Sequence, residues 1–337
     1  MSGPDGMVVI ALLSVFLSAM LATRLAIAYG LRRQLIDLPG GRRLHRQPTV
    51  RGAGVGAVVV LLLGLLVTSQ LRPEDSIRLM TLVTALGMVA AVGWWDDHRP
   101  LAARWRLLVH LGAVVLLLSP LMGAASWLVW LSFLVALIWL INAYNFIDGS
   151  DAFAAGHAVW IAGCSAVAAA LQGAALVSVV AALVSLCSAG FLYFNWPPAR
   201  AFLGDVASGT LGLALGAVIL LSWERASLDP LLPMLLISGV VLDATLTLIS
   251  RMVSGRRWYA AHRSHLYQWL LRSGWAPARV LSVYLGWSML AGLGIWLVPA
   301  VASYRLLIAG AMLAIGSILW VWARQRILRR TRQGLRQ

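Results

Sequence analysis

Apolar runs long enough to cross a bilayer follow one another along this chain, near residues 7–29, 54–71, 78–95, 107–122, 127–144, 154–171, 174–194, 208–223, 231–250, 280–298 and 304–323. About 20 apolar residues cross a hydrocarbon core as a helix, and in lipid only helices and closed barrels satisfy their own backbone. The runs predict an all-α polytopic membrane protein with about 11 transmembrane helices. It forms a single integral membrane domain over 1–337, ending in a basic tail at 324–337. A water-soluble globule is excluded, since 61% of the 337 residues are hydrophobic and 12% are charged, against about 45–50% and about 25% in soluble domains. The first run carries no basic leader or small-residue cleavage site and reads as a span rather than a signal peptide. Cys164 and Cys187 lie inside apolar runs and make no disulfide or metal scaffold.

Charge sets the expected orientation. All 27 cationic residues are Arg, giving a net charge of +15. With the loop 30–53 placed inside, twenty-two Arg fall on the inner side, against Arg72, Arg78, Arg225 and Arg305 outside. The positive-inside rule then places the N-terminus outside and the C-terminus in the cytoplasm, as a multi-pass protein of the cell inner membrane. The same rule explains the basicity without a nucleic-acid partner. Asp5, Glu74, Asp75, Glu224 and Asp229 fall in outer connections, where solvation is expected. Asp96, Asp97, Asp148, Asp151 and Asp205 instead gather at the cytoplasmic ends of different spans, where carboxylates need pairing, hydration or a cation.

Five segments carry the chemistry. Trp94-Trp95-Asp96-Asp97-His98-Arg99 closes the third span, and two adjacent acids repel unless a cation is near; a solvated helix end is the plain alternative. Asn142-Ala-Tyr-Asn145-Phe-Ile-Asp148-Gly149-Ser-Asp151 closes the fifth span. Asn142 and Asn145 share a helix face, so the stretch suits hard-cation ligation by oxygen or a capping turn. Phe202-Leu203-Gly204-Asp205 precedes the eighth span as either an N-cap or a phosphate cradle. Arg256-Arg257-Trp258-Tyr259-Ala-Ala-His262-Arg263-Ser264-His265 lies in the longest inner loop and suits a nucleotide diphosphate or anionic lipid. Arg42-Arg43-Leu44-His45-Arg46, followed by Arg51-Gly52-Ala-Gly54, opens the chain's first inner loop. Asp243, inside the ninth span, is an intramembrane acid and hence a functional candidate, or else a hydrogen-bonded helix lock.

In this order the segments, covering residues about 30 to 270, resemble the polyprenyl-phosphate N-acetylhexosamine-1-phosphate transferases, integral membrane enzymes of ten or eleven spans. The variant His262-Arg263-Ser264-His265-Leu266-Tyr267-Gln268 is similar to the branch that starts O-antigen-type polysaccharides. Departures are Arg106 and Arg200 where the family usually has Lys, Ala207 for Gly, and Ser150 and Ala152 in the Asp-Gly-Ile/Leu-Asp-Gly stretch. The resemblance implies transfer of a sugar 1-phosphate from a UDP-N-acetylhexosamine to undecaprenyl phosphate at the cytoplasmic face, releasing UMP. It implies Mg²⁺, with Mn²⁺ an admissible substitute, held by Asp205 and Asn145. Asp96, Asp97 and His265 are implied as catalytic, the two acids nearest the acceptor phosphate. Arg42, Arg43, Arg106, Asn142, Asp148, Asp151, His262 and Arg263 are implied as substrate contacts, and membrane lipid as a partner. The resemblance leaves room for a homodimer. The rival class is a transporter or lipid flippase with a cytoplasmic ion site, but no internal repeat is found and the polar motifs sit at one membrane face.

Overall fold

The computed structural model describes residues 4–38, 48–257 and 262–334, so Arg42, Arg43 and Arg46 lie outside the described residues. The helices are α1 (Pro4–Arg32), α2 (Val55–Leu71), α3 (Ser76–His98), α4 (Ala103–Leu118), α5 (Trp127–Ile147), α6 (Phe153–Leu171), α7 (Ala175–Asn195), α8 (Asp205–Arg225), α9 (Leu231–Leu236), α10 (Ser238–Val253), α11 (Leu266–Arg272), α12 (Pro277–Trp296) and α13 (Ala302–Gly334). Nine helices among the described residues are long and apolar enough to cross a membrane. The other two expected spans take different forms. The second is α2, of 17 residues. The ninth is divided at Ile237 into α9 and α10.

The chain divides into two compact units, Met1–Asp229 and Pro230–Gln337. In the first unit the core lies around α8, which is buried at seventeen of its 21 positions. Helices α2, α3, α5, α6 and α7 all pack on it. Small residues allow this approach: a Cβ added at Gly212 would stand 2.4 Å from the Leu140 carbonyl oxygen, and one at Gly216 2.4 Å from Leu137. Close backbone packing through small residues is how helices associate where lipid offers no hydrophobic drive.

The expected all-α architecture has one small exception. The loop before α2 carries a two-residue antiparallel pair, β1 (Ile36–Asp37) with β2 (Thr49–Val50). The Phe202 amide donates to the Val50 carbonyl at 2.8 Å, and Ala53 and Gly54 donate to Phe202 and Leu203 at 3.2 Å. Backbone hydrogen bonds thus fasten the first inner loop to the segment leading into α8.

At the far end of α3 and α8 the acids do not stand free in solvent as expected. Asp75 is buried and pairs with Arg72 and Arg225, while Glu224 pairs with the buried Arg78. Arg78 also donates to the Leu117 carbonyl at 2.9 Å. Burial of Asp75 and Arg78 leaves no water to satisfy them, so each acid takes a guanidinium instead.

The second unit is organised by one carboxylate. Asp243 on α10 is fully buried. Its Oδ1 accepts from the Leu266 amide at 2.7 Å, Trp320 Nε1 at 2.9 Å and the Thr247 hydroxyl at 3.3 Å. Its Oδ2 accepts from the Tyr284 hydroxyl at 2.8 Å and the Tyr267 amide at 3.2 Å. One acid therefore ties α10 to α11, α12 and α13, and it resolves the two sequence readings of Asp243 in favour of a helix lock. An isolated carboxylate is costly in a membrane; five donors around one carboxyl offset that cost.

Candidate active site

The first unit gathers four carboxylates. Asp96 and Asp97 come from the last turn of α3, Asp148 caps the C-terminal end of α5, and Asp205 opens α8. Arg106 of α4 bridges two of them, its Nη1 lying 2.7 Å from Asp96 and 2.9 Å from Asp205. Arg51, just after β2, reaches Asp97 at 2.9 Å and Asp205 at 3.5 Å. Burial alone would lower the Arg51 guanidinium, but the facing carboxylates of Asp97 and Asp205 outweigh it and hold the group above its ordinary range. Arg51 belongs to the site although the motif reading gave it no role. The signal that could have found it is its place immediately before Gly52 and Gly54.

Asp97 does two things at once. Besides meeting Arg51, its oxygens accept the amides of Asp205 at 3.0 Å and Val206 at 3.1 Å. The first amides of a helix have no partner within it, and a carboxylate there also meets the positive end of the helix dipole. Asp97 thereby fixes where α8 starts, and so where Asp205 points, while its own side chain is 1% exposed. The fit depends on Gly204, whose φ of +74° favours glycine. A Cβ there would lie 2.5 Å from Asp97 Oδ2 and 2.6 Å from Gly52 Cα.

Asp148 accepts from the Gly204 amide. Its carboxyl is pushed up to about 8, first by burial and then by the negative charges of Asp205 and Asp97. Asn145 lies half-buried one turn before it on α5. Asn142 donates to the Ile138 carbonyl of its own helix at 2.8 Å. Asp151 accepts the Ala199 amide at 3.0 Å, so its carboxylate braces the turn between α7 and α8. The same turn is held by Asn195, which accepts from the Ala152 amide at 3.0 Å and donates to the Ala201 carbonyl at 2.8 Å.

In the second unit, Leu266 and Tyr267 are the first residues of α11, and their amides are the two that Asp243 accepts. His265 therefore sits at the N-cap of a helix anchored from beneath. Its ring centroid lies 4.9 Å from that of His262, and His262 Nδ1 is 3.2 Å from the Ser264 hydroxyl, which Arg251 also approaches at 3.4 Å. The Arg263 carbonyl accepts from Arg272 at 3.4 Å. Burial holds both imidazoles below their ordinary range, His262 at about 4 with the charges of His265 and Arg251 adding to the effect. Both are neutral at pH 7. Trp258 and Tyr259 of this loop lie outside the described residues.

The acid cluster suits a divalent cation. Asp96, Asp97 and Asp205 face the guanidinium groups of Arg51 and Arg106, with the raised carboxyl of Asp148 beside them, and burial disfavours further negative charge there. Among the described residues no three acid, imidazole or thiol groups converge in ligating geometry. A pair of protein oxygens is nonetheless what Mg²⁺ commonly takes, with waters and phosphates completing its shell.

A family model described as glycosyl transferase family 4 matches residues 79–223, which hold Asp96, Asp97, Arg106, Asp148 and Asp205. The chain is 33% identical over 283 residues to the phospho-N-acetylmuramoyl-pentapeptide-transferase of Moorella thermoacetica, covering 71% of this chain and 86% of the relative. It is 27% identical over 293 residues to a probable undecaprenyl-phosphate N-acetylglucosaminyl 1-phosphate transferase of Bacillus subtilis, covering 82% and 80%. Against the decaprenyl-phosphate N-acetylglucosaminephosphotransferase of Mycolicibacterium smegmatis, identity is 28% over 309 residues, covering 77% and 74%. With Asp96, Asp97, Arg106 and Asp205 held in one charged cluster of the first unit, the chain belongs to the polyprenyl-phosphate hexosamine-1-phosphate transferase family.

Proposed function

We propose that this protein transfers an N-acetylhexosamine 1-phosphate from a UDP-sugar to undecaprenyl phosphate at the cytoplasmic face of the inner membrane. The products are the lipid diphosphate sugar and UMP, and the reaction opens the synthesis of O-antigen or another lipid-linked polysaccharide. The observation that supports it most is the bridge Asp96–Arg106–Asp205, in which a cation already joins acids from two helices. Donor diphosphate and acceptor phosphate are both anionic, so positive charge has to bring them together before attack. Asp205 and Asn145 would hold Mg²⁺, which supplies charge neutralisation to the transferring phosphate. Arg106, released from one carboxylate, binds phosphate oxygen. In the second unit, the loop carrying His262, Arg263 and His265 suits phosphate by its own chemistry, the neutral imidazoles being able to donate one hydrogen bond each. Arg42 and Arg43 hold the donor, and Asn142, Asp148 and Asp151 lie on its nucleoside and sugar side.

The acceptor phosphate monoester has a second pKa of about 6 and is mostly a dianion at neutral pH. It attacks phosphorus directly, without a phosphoryl-enzyme. Asp96 faces the phosphates, and Asp97 acts chiefly by positioning Asp205 through the start of α8. The purified protein, given undecaprenyl phosphate and a panel of UDP-N-acetylhexosamines, should release UMP with one of them. Chelation should stop the reaction, and Mg²⁺ or Mn²⁺ should restore it. Asp205→Asn should abolish turnover without lowering the amount of folded protein. Undiminished turnover in that variant would return Asp205 to the role of a helix-start residue. UMP exchange into UDP-sugar with lipid-free enzyme would instead argue for a covalent route.

A further inference from the structure

The second unit contains a cavity of about 430 Å³ that no step of the transfer reaction uses. Its walls come from α10, α11, α12 and α13 and are almost wholly apolar. Gly286 on α12 opens the space, whereas Gly239 on α10 and Gly316 on α13 let Trp287 and Leu242 pack close beside it. At Gly286 an added Cβ would meet nothing within 4 Å, so the room beside it is real.

Three tryptophans of the lining each carry an Arg on their face. Arg279 stands 4.2 Å from the Trp275 ring centroid, Arg324 5.0 Å from Trp320 and Arg326 5.1 Å from Trp322. Arg324 also donates to the Ser250 hydroxyl of α10, which fixes its direction. Stacking on an indole orients a guanidinium while leaving its in-plane donors available. Those donors have no acid of their own unit to meet. Residues 230–337 contain thirteen Arg and a single carboxylate, Asp243. That carboxylate is fully buried and already accepts five hydrogen bonds.

We propose that the second unit holds one anionic phospholipid, with an acyl chain in the cavity between α10, α11, α12 and α13 and its phosphate at the rim, where Arg279 and Arg326 stack on the lining Trp275 and Trp322. Basic pockets between membrane helices are where lipid phosphates bind, each cation near the surface favouring an anionic lipid by about fivefold. Chemistry argues against the polyprenyl carrier as the occupant, since the rim offers cations but no carboxylate to ligate a metal or take a proton. The lipid is resident rather than reacting.

The test uses the full chain purified in a neutral detergent, with phosphatidylglycerol, phosphatidylcholine, undecaprenyl phosphate and inorganic phosphate as probes. Native mass spectrometry should retain phosphatidylglycerol at one equivalent and at least tenfold in preference to phosphatidylcholine. Arg279→Gln combined with Arg326→Gln should reduce that preference by about tenfold or more. Both side chains are exposed, so the fold should survive. Gly286→Phe should fill the cavity and abolish retention of phosphatidylglycerol while the melting temperature without lipid is kept or raised. Equal retention of the two phospholipids, or phosphatidylglycerol binding unchanged in both variants, would overturn the proposal. Displacement by stoichiometric undecaprenyl phosphate would assign the cavity to the carrier instead, and full competition by inorganic phosphate would leave only a head-group site; either would also overturn it.

Discussion

Replacing Asp243 with Asn removes a charge and one acceptor oxygen from the centre of the second unit, while changing the shape of the side chain very little. With the amide nitrogen in the Oδ2 position, the Tyr284 hydroxyl can turn round and accept from it, but the Tyr267 amide cannot. That amide is left facing a donor. A hydrogen bond to a charged group contributes about 1.5–3 kcal/mol, equivalent to roughly 10–150-fold faster local exchange at 1.4 kcal/mol per decade. The opposite amide orientation would strand Leu266 N–H and Trp320 Nε1–H on the Oδ1 side and is less favourable. Hydrogen exchange with residue-level fragmentation should therefore show the Tyr267 amide exchanging one to two decades faster in Asp243→Asn. The Leu266 amide should change less, and residues 205–225 of the first unit should be unchanged. Asp243→Ala strands at least four buried donors at about 1–3 kcal/mol each, which approaches the whole stability of an ordinary domain; that variant should lose the unit's cooperative unfolding. Wild-type exchange at Tyr267 in Asp243→Asn would refute the idea that this carboxylate anchors the helix behind His265.

Other consequences are open to simple measurements. Gly204→Ala should abolish turnover and lower the melting temperature, because its Cβ meets Asp97 and Gly52 at a backbone angle suited to glycine; an active, equally stable variant would contradict the packing at the start of α8. His262 is held at about 4 against an unfolded value near 6.5, so the unfolded chain takes up a proton first as pH falls. Stability should therefore be full above about pH 6.5 and decline towards pH 4, and His262→Gln should flatten that decline in a pH series of melting curves. Arg78→Ala leaves Glu224 without its guanidinium and should destabilise the protein by about 3–5 kcal/mol, whereas Arg78→Ala with Glu224→Gln should recover part of the loss in thermal unfolding. Reporter fusions after Arg46 and at Gln337 should read as cytoplasmic and fusions near Glu74 and Asp229 as periplasmic; agreement between Arg46 and Glu74 would defeat the single-face placement of the acids.

Membrane helices are written in sequence as long apolar runs, so their positions could be read with little more than hydropathy. Most expected runs coincide with helices, such as 154–171 with α6 and 174–194 with α7. The run 231–250 reads as one span, and its division into α9 and α10 at Ile237 leaves no mark in hydropathy. The pairing of β1 with β2 has no sequence signal at two residues each, since it follows from the contact with the segment before α8. Acidic residues were visible as a group because their spacing is unusual at a membrane edge. Which guanidinium answers which carboxylate was not, and Arg51 joined the cluster through a backbone contact that no motif encodes. Asp75 and Glu224 misled for the converse reason: a charge near a helix end looks solvated until a partner from a distant span covers it.

The burial of α8 bears on the order in which the protein is made. The helices that pack against it, α2, α3, α5, α6 and α7, precede it in the chain. A ribosome therefore delivers the earlier spans into the bilayer before the segment that fills the space among them. Until residue 225 has been inserted, those spans expose to lipid the glycine-matched surfaces meant for α8, and Asp97 has no helix start to bind. Closure of the first unit is thus a single late event, in which the same segment completes the core and brings Asp205 to the other acids. The acid cluster of the first unit is thus completed by the last piece of its own scaffold, while its earlier pairs, Asp96 with Arg106 and Asp97 with Arg51, lie on segments already inserted.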